Sequence, residues 1–439
     1  MASTALDPGL GFGQRPPRRY VTLAATLLAL ALAACGAPAA APGASRPAAP
    51  AASAAAPAAP PAAPAPAAAA PAGPSAAPAA GSAASGAAAG APALHGDAAA
   101  FERVKEAAKR EGRVVVSGPA IPAVRTGITE GFQQAYGIAV EYLPLRSSEL
   151  MTRIERERQL GAVTIDLYIG GTPSGWTQAE RGQIDDIKPL LLDPAILNPA
   201  VWRDGAIHLA PSPASLPADF NCCLRTAQWV YSDLFVNTDL VPAGSITSWK
   251  DLLKPEYKGK ITSYDGRVSG PGRTTAAYLW ALFGDDYVRD LWAGQQVVTT
   301  RDDRQLGEWV VRGNYPIGLG ILPATVEPFR AQGLPIERVF PQDGPGVLVG
   351  GFGGIRKMKD SPNPNAATLF INWFASKDAQ EMWESAAQEP SLRTDVPHNV
   401  PDYIKLKPGV QYPYDDDDPA YTAKYGEPVL QKMQEILGR

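Results

Sequence analysis

Beyond about residue 97 the sequence predicts an α/β protein of two doubly wound lobes, each a sheet with helices on both faces. Three observations carry this. Residues 97–439 are long enough for roughly two domains of ordinary size. Helical and extended periodicities alternate along them, as strand-helix-strand units do, and no segment repeats an earlier one.

In the first lobe Phe101, Val104 and Ala108 share one face of a helix that ends at Gly112, and Val114, Val115 and Val116 follow as an unbroken buried strand. A helix through Phe132 and Tyr136 stops near Gly137, and a strand covers Ile138 to Tyr142. Ser147 or Ser148 caps a charged helix carrying Leu150, Ile154 and Leu160, and strand Ile165 to Ile169 runs into Gly170 and Gly171. Such alternation implies a mainly parallel sheet. The second lobe opens after the extended apolar run Trp229 to Val236. Ser248 caps a helix through Trp249, Leu252 and Leu253; strand Lys260 to Tyr264 meets Gly270, Pro271 and Gly272 and a helix through Tyr278, Leu279 and Leu282. Strand Gln296 to Thr299, helix Gln305 to Val311, strand Tyr315 to Ile321 and helix Ala324 to Gln332 continue it. Val347 to Ile355 is extended and glycine-rich, and Asn365 to Ser385 reads as one long helix with Leu369, Phe370, Trp373 and Phe374 buried. The expected division is 97–230 for the first part of lobe 1, 231–345 for lobe 2 with its crossing, and 346–439 for the return to lobe 1 and the C-terminal helices.

Upstream of the lobes, Arg15, Arg18 and Arg19 precede an apolar stretch, Val21 to Ala34, too short to span a bilayer comfortably. Leu32, Ala33, Ala34 and Cys35 then form a lipobox. The pattern resembles that of bacterial lipoproteins: 1–34 is read as a cleaved signal peptide and Cys35 as the lipidated first residue of the mature chain, anchoring it outside the cytoplasmic membrane. Residues 35–96 are Ala, Pro, Gly and Ser with almost nothing to bury, and are read as a disordered tether that favours extended polyproline II.

Net charge is −4, with 9 Trp and 15 Tyr, a globular and not polybasic composition that excludes nucleic acid and anionic lipid surfaces as expected partners. With only three histidines a His-rich zinc site is not expected, and no cofactor is implied. After Cys35 only Cys222 and Cys223 remain. They cannot form long-range disulfides, and two buried thiols are favoured over a strained bond between neighbours. Asp415 to Asp418 lack the spacing of a calcium loop and read as a solvated acidic loop. No Gly-x-Ser-x-Gly nucleophile elbow occurs.

Several segments together resemble one family. Glu111-Gly112-Arg113-Val114-Val115-Val116, Ser147-Ser148-Glu149-Leu150 and Ile165-Asp166-Leu167 come first. Phe235-Val236-Asn237-Thr238, Thr247-Ser248-Trp249-Lys250-Asp251-Leu252, Glu256-Tyr257-Lys258-Gly259-Lys260 and Asn365-Ala366-Ala367 with Phe370-Ile371-Asn372-Trp373 follow. In order and spacing they resemble the extracellular solute-binding proteins of ABC importers, in the class holding ferric-iron, thiamine and aminoethylphosphonate binders. The resemblance implies the type II periplasmic-binding fold, two lobes joined by crossing strands, in a non-enzymatic monomer that hands a small solute to a membrane permease. Closure about a hinge would be stabilised only by contacts both lobes make with the solute.

Loops at the carboxyl ends of strands are the expected ligand positions. They are Ser117, Gly118, Arg125, Gly170, Gly171 and Thr172 in the first lobe and Asp265, Arg267, Ser269, Gly270 and Gly272 in the second, where a helix start suits a polar or anionic solute. Arg267 or Arg273 is a candidate forked contact. Tyr168 and Tyr231 read as core tyrosines, with a role as ligand or stacking surface as the alternative. The iron-binding branch carries an adjacent tyrosine pair where this chain has Ile321, Leu322 and Pro323, so that mode of ferric binding is not expected. Two other readings stay open: a sensory receptor using the same lobes, and a membrane-anchored hydrolase, for which the chain shows no catalytic constellation.

Overall fold

A computed structural model describes residues 96–145 and 147–438. The signal segment 1–34, Cys35 and the tether through residue 95 lie outside the described residues. Among the described residues thirteen strands follow in chain order: β1 (Arg113–Gly118), β2 (Ala139–Pro144), β3 (Leu167–Ile169), β4 (His208–Leu209), β5 (Leu224–Arg225), β6 (Trp229–Tyr231), β7 (Leu234–Asn237), β8 (Ile261–Tyr264), β9 (Val298–Thr300), β10 (Ile317–Leu319), β11 (Ile336–Arg338), β12 (Val347–Val349) and β13 (Gly354–Lys357). They build two α/β lobes. The first lobe holds a six-stranded sheet in the order β2-β1-β3-β13-β5-β4, and the second a five-stranded sheet in the order β11-β7-β10-β8-β9. Among the described residues no helix is long and apolar enough to cross a membrane.

Local chemistry places the elements. Asp97 accepts a hydrogen bond from the Ala100 N–H and starts helix Ala98–Glu111, which Gly112 ends at φ 70°. The next helix, Pro122–Tyr136, ends the same way on Gly137 at φ 72°. Val114, Val115 and Val116 are buried on both faces of β1 because helices cover both sides of the sheet.

The sheets are mixed, where a mainly parallel arrangement was expected. β1 runs parallel to β2 and β3, but β13 is antiparallel to β3; β8 is parallel to β9 and β10, but β7 is antiparallel to β10 and β11. β7 and β13 are the strands that enter each lobe from the other one. They arrive without a crossover helix, so nothing imposes the parallel direction of a strand-helix-strand unit. The crossing itself is a two-stranded ribbon of β6 and β12, with Val347 opposite Tyr231 and Val349 opposite Trp229.

Three expected features differ. The single helix expected over Asn365 to Ser385 is two, Pro364–Phe374 and Lys377–Ala387, because Ser376 caps the second through the Ala379 N–H. The turn after Ser248 is a tight Trp249–Leu253 segment closed by a Ser248/Asp251 capping box. The end of the chain, assigned above to the return to lobe 1, crosses a third time. Asp415 pairs beside Leu348 of β12, and Val400, Ile404, Val429 and Met433 enter the second lobe's core. Val429 and Met433 lie four residues apart on helix Pro428–Leu437, one stripe that must find an apolar partner, and that partner is helix Pro271–Arg289.

That helix begins hard against β8. A Cβ on Gly272 would stand 2.3 Å from the Tyr264 carbonyl oxygen and 2.8 Å from the Asp265 carbonyl carbon, backbone atoms that cannot swing aside. Gly272→Ala is therefore expected to cost about 1–3 kcal/mol of stability or more, read as a lowered urea midpoint. An unchanged midpoint would show that the helix start is free to shift.

Candidate functional site

The lobes face each other across a cleft floored by the crossing strands. Its outer part is a cavity of about 460 Å³. Pro119 to Pro122, Tyr168 and Ile169 wall it from the first lobe; Tyr264, Leu322 and Phe329 wall it from the second. A smaller inner cavity, about 80 Å³, lies against the crossing strands, lined by Gly171, Trp229, Tyr231, Arg273, Glu389 and Asp416 among others. Ser269, Gly270, Pro271, Leu322 and Phe352 border both. Three helices start on the outer cavity, at Pro122, Pro271 and Pro323, and Thr172–Glu180 starts on the inner one. Their first turns offer N–H groups without intrahelical partners and partial positive charge, suited to polar or anionic groups.

The inner cavity is acid-rich. The Arg273 guanidinium donates to Asp416, to which Thr274 Oγ1 also donates at 3.3 Å, and Arg225 pairs with Asp417 at 2.9 Å. Glu389, 2% exposed, has no such cation among the described residues: its carboxyl accepts from the Phe352 N–H at 2.8 Å and from Trp383 Nε1 at 3.2 Å. Burial, with the nearby Asp417 charge adding to it, pushes the Glu389 carboxyl up to about 8. Burial and Asp417 likewise raise Asp415 to about 7. Asp416 Oδ1 and Trp229 Nε1 have no hydrogen-bond partner.

Of the expected ligand positions, Gly171, Ser269 and Gly270 line the cleft. Gly170 and Gly171 offer their carbonyls to the buried Arg356, and Thr172 is buried just behind. Ser117 and Gly118 stop one step short of the wall. Ser117 Oγ donates to the Leu143 carbonyl and Gly118 packs under Tyr142, while the following residues Pro119 to Pro122 reach the cavity. Gly272 is buried behind the helix start. Four of the expected positions face elsewhere or are already partnered. Arg125 is exposed on its helix and borders neither cavity. Arg267 closes a fork onto Asp265 and reaches the Gly438 carbonyl, and Asp265 also holds Arg301, so all three serve one another outside the cleft walls. Arg273 does line the inner cavity but is committed to Asp416.

The acidic run is also corrected: Asp416 is 6% and Asp417 3% exposed, not solvated, because the third crossing carries them between two arginines distant in sequence. Tyr168 and Tyr231 are buried and also line the outer and inner cavities. Glu389, Trp229 and Phe352 had no local signal, since each reaches the site through a crossing that sequence periodicity does not show. Where iron binders carry tyrosines, Leu322 meets the cleft and Ile321 is buried.

Two lobes, a crossing ribbon and a cleft between them are the architecture of a binding protein, and the sequence agrees: residues 128–410 match the bacterial extracellular solute-binding protein family. The chain belongs to this family. Members bind small solutes outside the cytoplasm and work with ABC transporters. This solute-binding protein is 26% identical over 293 residues to an uncharacterized protein of Haemophilus influenzae, a match covering 65% of this chain and 79% of the relative. It is 28% identical over 172 residues to the spermidine/putrescine-binding periplasmic protein of Escherichia coli, covering 35% and 46%. In structure it is similar to the periplasmic binding protein AfuA of Actinobacillus pleuropneumoniae, solved with fructose-6-phosphate. The TM-score is 0.59 at 20% identity, covering 74% of this chain and 98% of the other. The shared type II periplasmic-binding fold accounts for the crossing strands and the cleft.

Proposed function

We propose that this protein is a lipid-anchored extracytoplasmic receptor that captures a small polar or anionic solute by closing its lobes and delivers it to the permease of an ABC importer. The observation that carries the reading is that residues of both lobes and of the crossing ribbon wall one cleft, so a bound solute joins surfaces that otherwise move apart. Lipidation at Cys35 and the Ala/Pro tether keep the receptor near its permease without fixing its orientation. No step breaks a bond.

The inner cavity favours a second reading of the solute. Arg273 and Arg225 balance Asp416 and Asp417, which leaves Glu389 as the carboxyl there without a paired cation among the described residues, and Trp229 and Tyr231 add aromatic walls. A cationic nitrogen on the solute would sit well at this end, with polar or anionic groups toward the helix starts. The relative that binds spermidine and putrescine supports this.

Thermal-shift titration of delipidated 97–439 with phosphate, a hexose phosphate, a dicarboxylate, spermidine and thiamine tests the proposal. A ligand at a hundredfold its dissociation constant is expected to add about 2.7 kcal/mol. Leu322→Arg, which puts a long charged side chain between the lobes, is expected to weaken that ligand about tenfold or more with an unchanged circular dichroism spectrum. Equal affinity in the variant would move the site elsewhere.

A further inference from the structure

Arg356 on β13 is fully buried, and among the described residues no carboxylate pairs with it. Its guanidinium lies over the Tyr168 ring at 4.2 Å. Nη2 donates to Ser174 Oγ at 2.7 Å, and Nη1 donates to the Gly171 carbonyl at 3.1 Å and to Cys223 Sγ at 3.2 Å. A buried cation without a counter-ion is costly. Among the described residues the one group bonded to Arg356 that ionises to an anion is the Cys223 thiol, itself fully buried, and Cys222 Sγ lies 3.0 Å from it, placed to donate its S–H to a thiolate. The two sulfurs are unbonded in this structure.

The space around these groups is reserved for them. A Cβ on Gly175 would meet Cys223 Sγ at 2.4 Å, Arg356 Nη1 at 2.8 Å and Cys222 Sγ at 3.2 Å. Gly175 belongs to helix Thr172–Glu180, whose first turn lines the inner cavity. The thiol pair, the guanidinium and the cleft wall are thus in direct contact. Asp417, held by Arg225, is the carboxylate whose charge opposes ionisation of Cys223.

We propose that Cys222 and Cys223 are a redox-active dithiol in which a Cys223 thiolate is the counter-ion of Arg356, and that oxidation to a disulfide within the pair loosens the Gly170–Ser174 wall of the cleft. The Cys223 thiolate attacks a low-molecular-weight disulfide RS–SR, expelling RS⁻ and forming a mixed disulfide. Cys222, losing its proton to solvent, attacks the Cys223 sulfur and expels the second RS⁻. Two electrons pass from the cysteine pair to the oxidant, which is reduced to two thiols. The neutral disulfide no longer balances Arg356, whose bonds to Gly171 and Ser174 hold the wall. Burial makes the exchange slow, since helix Thr172–Glu180 must open for the oxidant to enter. Burial also pushes the Cys223 thiol up, but the Cys222 S–H and the guanidinium overcome it and draw it down to about 7, while Cys222 is raised well above the ordinary range.

The coupling to solute capture rests on the reading of the cleft given above; the thiolate does not. The first measurement is the ultraviolet thiolate absorbance of the reduced protein against pH, in wild type, Cys222→Ser and Cys223→Ser. The wild type is expected to titrate near 7 and Cys223→Ser to lose that transition. A wild-type midpoint at the ordinary thiol value of about 8.5 overturns the ion pair. The second is equilibration of wild type with glutathione and glutathione disulfide. Intact mass is expected to show loss of two hydrogens, and amide exchange over 170–175 to rise about tenfold. A mass unchanged at the most oxidising ratio overturns the redox pair, and oxidation without faster exchange overturns the link to the cleft wall.

Discussion

Replacing Asp166 with alanine is expected to destabilise the first lobe by about 3–5 kcal/mol. The carboxylate is fully buried and each of its oxygens accepts two hydrogen bonds. Oδ1 takes the Ser361 hydroxyl at 2.6 Å and the Asn363 N–H at 2.7 Å; Oδ2 takes the Val115 N–H at 2.7 Å and Asn363 Nδ2 at 2.9 Å. Alanine would strand four buried donors from two separate segments: strand β1, and the stretch of Ser361 and Asn363 that leads into helix Pro364–Phe374. Asp166→Asn is expected to be nearly as damaging, because whichever oxygen becomes an amide nitrogen then faces two donors. Urea unfolding measures both. A loss below about 1 kcal/mol in Asp166→Ala would mean that water or a shifted side chain takes over the four donors.

The second large effect is on the pH dependence of stability. The Glu389 carboxyl ionises near its ordinary value of 4.5 when unfolded and is pushed to about 8 when folded. Between those values the folded state holds a proton that the unfolded state has lost, so stability falls as pH rises and levels off above about 8. Asp415, raised to about 7, acts with the same sign. Cys223, drawn down, acts with the opposite sign and adds stability as pH rises through about 7. Glu389→Gln removes the titration and keeps an acceptor for one of the Phe352 and Trp383 N–H groups, which bond to different oxygens, so it carries a cost that does not vary with pH. Its stability relative to wild type is therefore expected to grow with pH, reaching on the order of several kcal/mol above the folded value. Parallel pH profiles in urea would show that Glu389 is ionised at neutral pH. A solute bringing a cationic nitrogen into the inner cavity would favour ionised Glu389, and its binding would release a proton.

Part of the candidate cleft wall was legible because strand ends and glycines are local. Gly170 and Gly171 follow β3 directly and Ser269 and Gly270 precede helix Pro271–Arg289, and in a sheet with helices on its faces the carboxyl ends of strands open onto the cleft. The arginines were not legible in the same way. Arg267 and Arg273 look equivalent in sequence, yet Arg267 folds back onto Asp265 two residues away, whereas Arg273 meets Asp416 from the last crossing. Asp166 was visible only as part of Ile165-Asp166-Leu167, one of the segments that carry the family resemblance; the four hydrogen bonds it accepts explain why that position holds an acid.

The class of the fold and the family could be read from the chain alone, because periodicity, capping residues and turn glycines act over a few residues. Only the tertiary structure decided which charges face which. Asp416, Asp417, Glu389 and the Cys222–Cys223 pair acquire their roles from burial beside Arg273, Arg225, Trp383 and Arg356. The energy of a charge or a thiol depends on the groups around it and on the water excluded from it, and three passages of the chain between the lobes set both.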